Sequence, residues 1–244
     1  MSKIKLSEKI SVILPTYNEK GNILSIIEAI HAELVDYEHE ILVVDDNSPD
    51  GTFKAVLDRA YPYVRAILRT ENRGLANSIR NGLENAKGTV FIIMDSDFNH
   101  QPKYLPFMIQ AISYYDCVTA SRFLYGGRMD NRFRHILSWI FNIFVRLMTG
   151  GQITDSLYGF LAIKRRVIEE CNYDKIFWGY GDYCIRLMYY LQRNHVNILQ
   201  IPAINGRRKE GQGNRRFFEI FWQYFKEVIM LSYKARMNNH VQGN

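Results

Sequence analysis

Two carboxylates one residue apart, Asp95 and Asp97 in the stretch MDSDFNH, follow directly on the apolar run TVFII. A core cannot take both, so they belong to a turn at the mouth of a buried strand. Hard carboxylate oxygens at this spacing suit Mg²⁺ or Mn²⁺, ions whose coordination is usually completed by substrate phosphates. The competing explanation is a solvated turn with an aspartate capping the helix ahead in QPKYLPFMI. A second acidic stretch, VVDDNSPDGT, places Asp45 and Asp46 after another apolar run. A carboxylate there can accept from a ribose hydroxyl or a base N–H, although Asp, Asn, Ser and Pro also simply favour turns. There is no GxGxxG and no Walker sequence, so a metal-assisted nucleotide site without a glycine-rich phosphate cradle remains.

The second half supplies cations. Arg128, Arg132 and Arg134 precede a hydrophobic helix containing Ser138, and GRRKEG adds Arg207, Arg208 and Lys209. Guanidinium forks match phosphate oxygens, while the plainer alternative is a solvated basic surface. In GYGDYCIR, Asp182 stands at an expected helix start, where a carboxylate serves either as a cap or as a base. His100 and His135 have no second histidine at ligand spacing and are expected to be loop polar groups rather than metal ligands.

The elements that must position these residues follow from the apolar pattern. ISVIL, EILVV, VRAIL and TVFII are short β-branched runs without polar alternation, as in strands covered on both faces. Helical patterns fall between them at about residues 21–34, 52–60 and 75–86. This β-α-β-α-β-α-β order predicts an α/β fold with a mostly parallel, Rossmann-like sheet flanked by helices. Ligands bind beyond the carboxyl ends of such strands, which is where each turn-forming stretch lies. Further on, DCVTASRF predicts a strand, His135 to Met148 a helix, DSLYGFLAI a strand, Asp182 to Gln192 a helix and VNILQIP a strand. An aromatic C-terminal helix is expected over Phe217 to Arg236.

The 244 residues carry 47% hydrophobic and 23% charged side chains, as a globular chain does. With no linker or repeat, one domain over residues 1–244 is expected. It divides into a first half (1–115), a second half (116–215) and an amphipathic tail (216–244). Three scattered cysteines suit neither a disulfide framework nor a zinc site. ILSWIFNIFVRLM is too short to span a bilayer, so no spanning helix is expected. A net charge of +6 favours an anionic partner: nucleic acid, anionic lipid or a phosphorylated small molecule.

Four stretches taken together, SVILPTYNEKGNI, ILVVDDNSPDGT, RGLANSIRNGLENAKGTVFIIMDSDFNHQP and ASRFLYGG, resemble the inverting family 2 glycosyltransferases of GT-A fold. Within that family the chain is similar to dolichyl-phosphate mannose synthases and bacterial polyprenyl-phosphate glycosyltransferases, over roughly residues 10 to 215. The resemblance implies that Pro15, Tyr17 and Glu19 hold the base and ribose beside Val44 and Asp46. It implies that Asp95 and Asp97, around Ser96, coordinate a metal on the nucleotide diphosphate, with Asn99 as a further metal-side group. Arg122 would touch a phosphate, and Arg134 with Ser138 the acceptor phosphate. Arg208 and Gly211 match the R-x-x-G of those enzymes, but Gly213 and Asn214 replace the Ser-Lys that follows. Asp182 lies near where hydroxyl-accepting relatives keep a catalytic base.

The expected activity is therefore transfer of a mannose- or glucose-like hexose from GDP-mannose or a UDP-hexose to a dolichyl or polyprenyl phosphate, with Mg²⁺ or Mn²⁺. The alternative acceptor is a glycan hydroxyl, with Asp182 taking its proton. A nucleic-acid-binding module uses Asp95 and Asp97 poorly, because they repel a phosphate backbone unless a metal bridges them. The arginine-flanked aromatic stretch RRFFEIFWQYFKEVIMLSYKARM suggests a peripheral protein on the cytosolic face of a membrane.

Overall fold

The computed structural model describes residues 8–206 and 217–241. Seven strands form one sheet: β1 (Ile10–Thr16), β2 (His39–Asp45), β3 (Val64–Leu68), β4 (Val90–Ile93), β5 (Cys117–Ser121), β6 (Leu161–Lys164) and β7 (Ile198–Pro202). Their order across the sheet is β3-β2-β1-β4-β6-β5-β7. β6 runs antiparallel to both of its neighbours, and every other pairing is parallel. The carboxyl ends of six strands and the amino end of β6 thus meet along one edge of the sheet. The boundary expected near residue 115 falls between α4 (Leu105–Ala111) and β5, and the same sheet runs across it.

The β-branched runs pair as their composition dictates. β1, β2 and β4 are buried almost throughout, whereas β3 is an edge strand and only half-buried, less covered than its apolar run suggests. Side chains alternate across β1. Ile10, Val12 and Leu14 pack with α1 (Ile23–Leu34) on one face, where Ile23, Ile26, Ile27, Ile30 and Leu34 supply the helical stripe. Ile13 faces the other way, with Ile79 and Leu83 of α3 (Leu75–Asn85) and Leu187 and Leu191 of α8 (Tyr183–Arg193). Burying each such side chain contributes roughly 1.5–3 kcal/mol, enough to make this core the scaffold for everything at its edge. Gly82 of α3 sits tight on the sheet: a Cβ there would lie 2.5 Å from Ile13 Cγ2.

Three differences from the sequence pattern matter for the site. DSLYGFLAI is strand only from Leu161, because Gly159 takes φ +71° and approaches the Tyr183 hydroxyl, turning residues 155–160 into a loop at the sheet edge. The hydrophobic helix starts earlier than the pattern suggests, as α5 (Arg132–Thr149), because Asn131 caps it by accepting from the Arg134 N–H. The last helix, α9 (Phe217–Val241), joins α5 and α8 in a separate apolar cluster of Phe141, Val145, Ile185, Tyr189, Val228 and Leu231. Short helices α2 (Thr52–Arg59), α6 (Arg165–Glu169) and α7 (Tyr173–Ile176) complete the layers.

Candidate functional site

β4 ends at Ile93 and delivers Asp95 to His100 to the ligand-binding edge. Here the loop is set by its own polar groups. The Asp97 carboxylate accepts from the Asn99 backbone N–H at 3.0 Å and from its Nδ2 at 2.7 Å. The Asp95 N–H donates to His100 Nδ1 at 2.8 Å, which leaves the ring proton on Nε2, 3.5 Å from the Asp95 carboxylate. His100 is buried and stacked 4.9 Å from the Phe160 ring. Burial pushes its pKa down to about 4 against the opposing pull of Asp97, so it is a neutral structural strut of the loop. Asp97 is nearly buried, while the Asp95 side chain remains 43% exposed towards the edge.

Distant segments fasten this loop. The Asn99 carbonyl accepts from the Tyr158 hydroxyl at 2.9 Å and from the Gly206 N–H at 2.8 Å, and Asn205 Nδ2 donates to Asn99 Oδ1 at 3.1 Å. The Tyr158 ring lies 4.7 Å beneath the Arg122 guanidinium. Arg122 in turn is held bidentately by Asp155, at 2.7 and 2.9 Å, and its backbone N–H donates to the same carboxylate. The expected phosphate contact is thus a buried, fixed cation whose charge Asp155 partly offsets. Tyr158 and Asp155 are site-shaping residues that the motifs did not reveal, while His100 is the loop polar group expected of it. The one hint was that DSLYGF begins, like DDNSPDGT and DSDFNHQP, with an aspartate.

On the nucleotide side, Tyr17 is half-exposed with the Arg73 guanidinium 5.1 Å over its ring, a platform able to stack a base. Glu19 is buried and accepts from Asn22 Nδ2 at 2.6 Å, while its own N–H donates to Thr52 Oγ1. Pro15 lies in β1, with its carbonyl accepting from Ser96 Oγ, which joins the two expected motifs directly. Val44 does not face a ligand: its side chain packs in the core with Ile13 and Ile79, as alternation along a fully covered strand requires. Asp46 is a hub, accepting from Arg69, from Ser78 Oγ at 2.8 Å and from the Gly74 N–H at 2.6 Å. It thereby fixes the loop that carries Arg73. Asp45 is turned to Ser48, accepting its N–H and its hydroxyl.

Asp182 is fully buried. It occupies the residue before α8, yet its carboxylate caps no N–H of that helix. One oxygen accepts from the Tyr180 N–H at 2.8 Å, and the other lies 2.6 Å from Arg186 Nη1. Arg186 is itself buried, 3.2 Å from Glu227 of α9 and stacked 3.8 Å from the Trp178 ring. Burial raises the Glu227 pKa, against the pull of Arg186. On the acceptor side, Arg134 is exposed and Ser138 half-buried, one turn apart on α5. Two adjoining cavities open at the start of this helix. One of about 180 Å³ is lined by Arg122, Phe123, Leu124, Gly127, Ile136 and Trp139, together with His135. The other, about 560 Å³, is lined by Arg128, Met129, Asp130, Arg132, His135 and Ile136. Arg207, Arg208 and Lys209 lie outside the described residues.

The family model for glycosyl transferase family 2 matches residues 11–171, more than half of the chain, and takes in the edge loops from Tyr17 to Tyr158. The chain belongs to glycosyl transferase family 2. Its relatives in this family include a dolichol-phosphate mannosyltransferase of Pyrococcus furiosus, 31% identical over 91% of this chain and 63% of that protein, so the chain spans under two thirds of that relative's length. An undecaprenyl-phosphate mannosyltransferase of Micrococcus luteus is 32% identical over 84% of this chain and 86% of that one. Among solved structures, glucosyl-3-phosphoglycerate synthase from Mycobacterium tuberculosis, in complex with Mn²⁺, UDP and phosphoglyceric acid, superimposes with a TM-score of 0.71. It shares 21% sequence identity over 93% of this chain and 80% of that one, which bears out the GT-A fold. A second structure of that enzyme contains Mg²⁺ and UDP.

The donor set at the corner suits a hard divalent ion. Asp95 and Asp97 offer carboxylate oxygens, and Asn99 adds an amide beside them. Among the described residues no group of three or more His, Cys, Asp or Glu could hold an ion alone. Phosphate and water oxygens would therefore have to complete the coordination, as is usual for Mg²⁺.

Proposed function

We infer that this family 2 glycosyltransferase moves a hexose from a nucleotide-diphosphate sugar to a dolichyl or polyprenyl phosphate. The observation that carries the choice of acceptor is the enclosure of Asp182. Its two oxygens are engaged by the Tyr180 N–H and Arg186, and the whole residue is buried. A glycan hydroxyl needs a carboxylate to take its proton, whereas a phosphate oxygen is already ionised and needs only orientation. The names of the P. furiosus and M. luteus relatives support the same acceptor class.

In this reaction an acceptor phosphate oxygen attacks the anomeric carbon from the face opposite the leaving group. The anomeric C–O bond breaks, and the nucleotide diphosphate departs with the electron pair. Tyr17 and Arg73 hold the base, with the loop positions fixed by Glu19 and Asp46. Asp95 and Asp97 would hold Mg²⁺ or Mn²⁺, which would supply Lewis-acid stabilisation of the departing diphosphate. His100, Tyr158 and Asn99 keep the corner in shape, and Arg122, held by Asp155, places a fixed positive charge beside it. The resemblance implies a nucleotide-sugar-binding role for Arg208 as well, which lies outside the described residues. The donor is GDP-mannose by analogy with the mannosyltransferase relatives, or a UDP-hexose by analogy with the UDP-bound structures.

The acceptor's lipid tail also accounts for an exposed apolar surface. On α5, Phe133, Ile136, Leu137 and Ile140 recur at helical spacing and are exposed, and on α9 so are Trp222, Ile229, Met230 and Tyr233. Exposed Arg132, Arg134, Lys226 and Lys234 accompany them. Among the described residues no helix is long and apolar enough to cross a membrane. A patch of this chemistry suits peripheral contact with an anionic leaflet on the cytosolic side, where nucleotide sugars are available. The deciding experiment incubates the enzyme with a panel of nucleotide sugars and polyprenyl phosphate, followed by mass analysis of the lipid. A hexose-phosphate-lipid is expected; transfer to glycan hydroxyls alone would replace this reading with the other.

A further inference from the structure

We propose that His135, rather than Arg134 or Ser138 alone, is a direct binding residue for the acceptor phosphate. The inference rests on the polyprenyl-phosphate reading above. Arg134 and Ser138 line neither of the two cavities at the start of α5, whereas His135 lines both and stands where they meet. Its ring is packed 5.0 Å from Phe123, which limits its freedom to turn away. His135 Nδ1 is buried and has no hydrogen-bond partner. A buried N–H without an acceptor is costlier than a buried lone pair, so the proton belongs on Nε2. The ring then offers one N–H donor with a fixed tautomer to the cavities.

The surroundings define what that donor would meet. Arg128 and Arg132 line the larger cavity, opposed there by Asp130 alone, so the lining carries net positive charge. The smaller one joins Arg122, backed by Asp155, to Phe123, Leu124, Ile136 and Trp139. An anionic head followed directly by an apolar chain fits this pairing. The phosphate accepts from His135 Nε2–H and the arginines, and the first isoprene units lie over the aromatic wall. A small, wholly polar phosphate would leave that wall exposed to water.

The test compares wild type with His135→Phe, which keeps the ring, and His135→Gln, whose amide restores an N–H donor. KM for polyprenyl phosphate and for the nucleotide sugar is measured, and calorimetry follows binding of a short-chain polyprenyl phosphate and its alcohol. Losing a hydrogen bond to a charged group should raise KM and Kd for the phosphate about tenfold or more in His135→Phe. Binding of the alcohol, the donor KM and kcat should stay within about twofold, and His135→Gln should recover to within about threefold of wild type. In wild-type protein, the His135 ring ¹⁵N resonances should shift when the phosphate is added. Unchanged phosphate affinity in His135→Phe, or no ring shift in an active wild type, overturns the role of His135 and leaves the acceptor reading standing. A wild type that neither binds nor glycosylates polyprenyl phosphate overturns both.

Discussion

Replacing Asp182 by asparagine separates a structural carboxylate from a catalytic one. Asp182 and Arg186 are both essentially inaccessible to water, with 2.6 Å between their charged atoms. Removing one member of a buried pair typically costs 3–5 kcal/mol, because the survivor is left buried and uncompensated. Here Glu227 remains 3.2 Å from Arg186, and the asparagine oxygen can still accept from the Tyr180 N–H. The loss should therefore be smaller, about 2–3 kcal/mol, a fall in Tm of about 5–10 °C for a chain of this size. Transfer to polyprenyl phosphate, measured per folded molecule well below the variant's melting point, should stay within about threefold of wild type. A general base would behave in the opposite way, with a loss of about 10²–10⁴-fold in rate. Unaltered stability combined with such a collapse in kcat would refute the structural assignment and restore the hydroxyl acceptor.

Other expectations follow from the same geometry. Asp97→Ala should abolish transfer yet leave the circular-dichroism spectrum native, because the carboxylate lies in a loop beyond β4 and bonds Asn99 of that same loop; undiminished turnover would remove the metal role. Tyr158→Phe deletes the bond to the Asn99 carbonyl, worth about 1 kcal/mol, and should raise the donor KM several-fold with little change in melting temperature. Gly82→Ala should destabilise the fold by about 1–3 kcal/mol in urea titrations, since the new methyl meets Ile13 and Val44. A Trp139→Ser, Trp222→Ser double variant should lose binding to anionic liposomes in co-sedimentation; full retention would place the membrane contact elsewhere.

The scaffold was legible because its runs are unambiguous. ISVIL and TVFII have no polar alternation, and the strands they predict are the two central, fully covered ones. The acidic turns were legible for the same reason, since carboxylates directly after such runs have to leave the core. What stayed hidden depends on contacts across the chain. Nothing local to ASRF reveals that Asp155, 33 residues on, will clamp Arg122. Nothing near Asp46 announces that it will pin Gly74 rather than face outward. The resemblance places Val44 beside the base, but on a strand covered on both faces its side chain packs into the core with Ile13 and Ile79. Helix α5 shows another limit: it is apolar on both faces, so periodicity alone could not say that Phe133 and Ile140 would be exposed while Phe141 and Val145 packed. His135 reads as a polar group at the very start of its helix, whereas the cap at Asn131 begins α5 three residues earlier and puts His135 within its first turn.

The central claim is that the turn after β4 grips a divalent cation on the diphosphate of the donor. Crystals soaked with Mn²⁺ and a nucleoside diphosphate, recorded at the manganese absorption edge, test it directly. The account predicts one strong anomalous peak within coordination distance of the Asp95 and Asp97 carboxylates and the diphosphate, with the base against Tyr17. Nucleotide bound with no manganese at that turn, or manganese bound away from both aspartates, would contradict it.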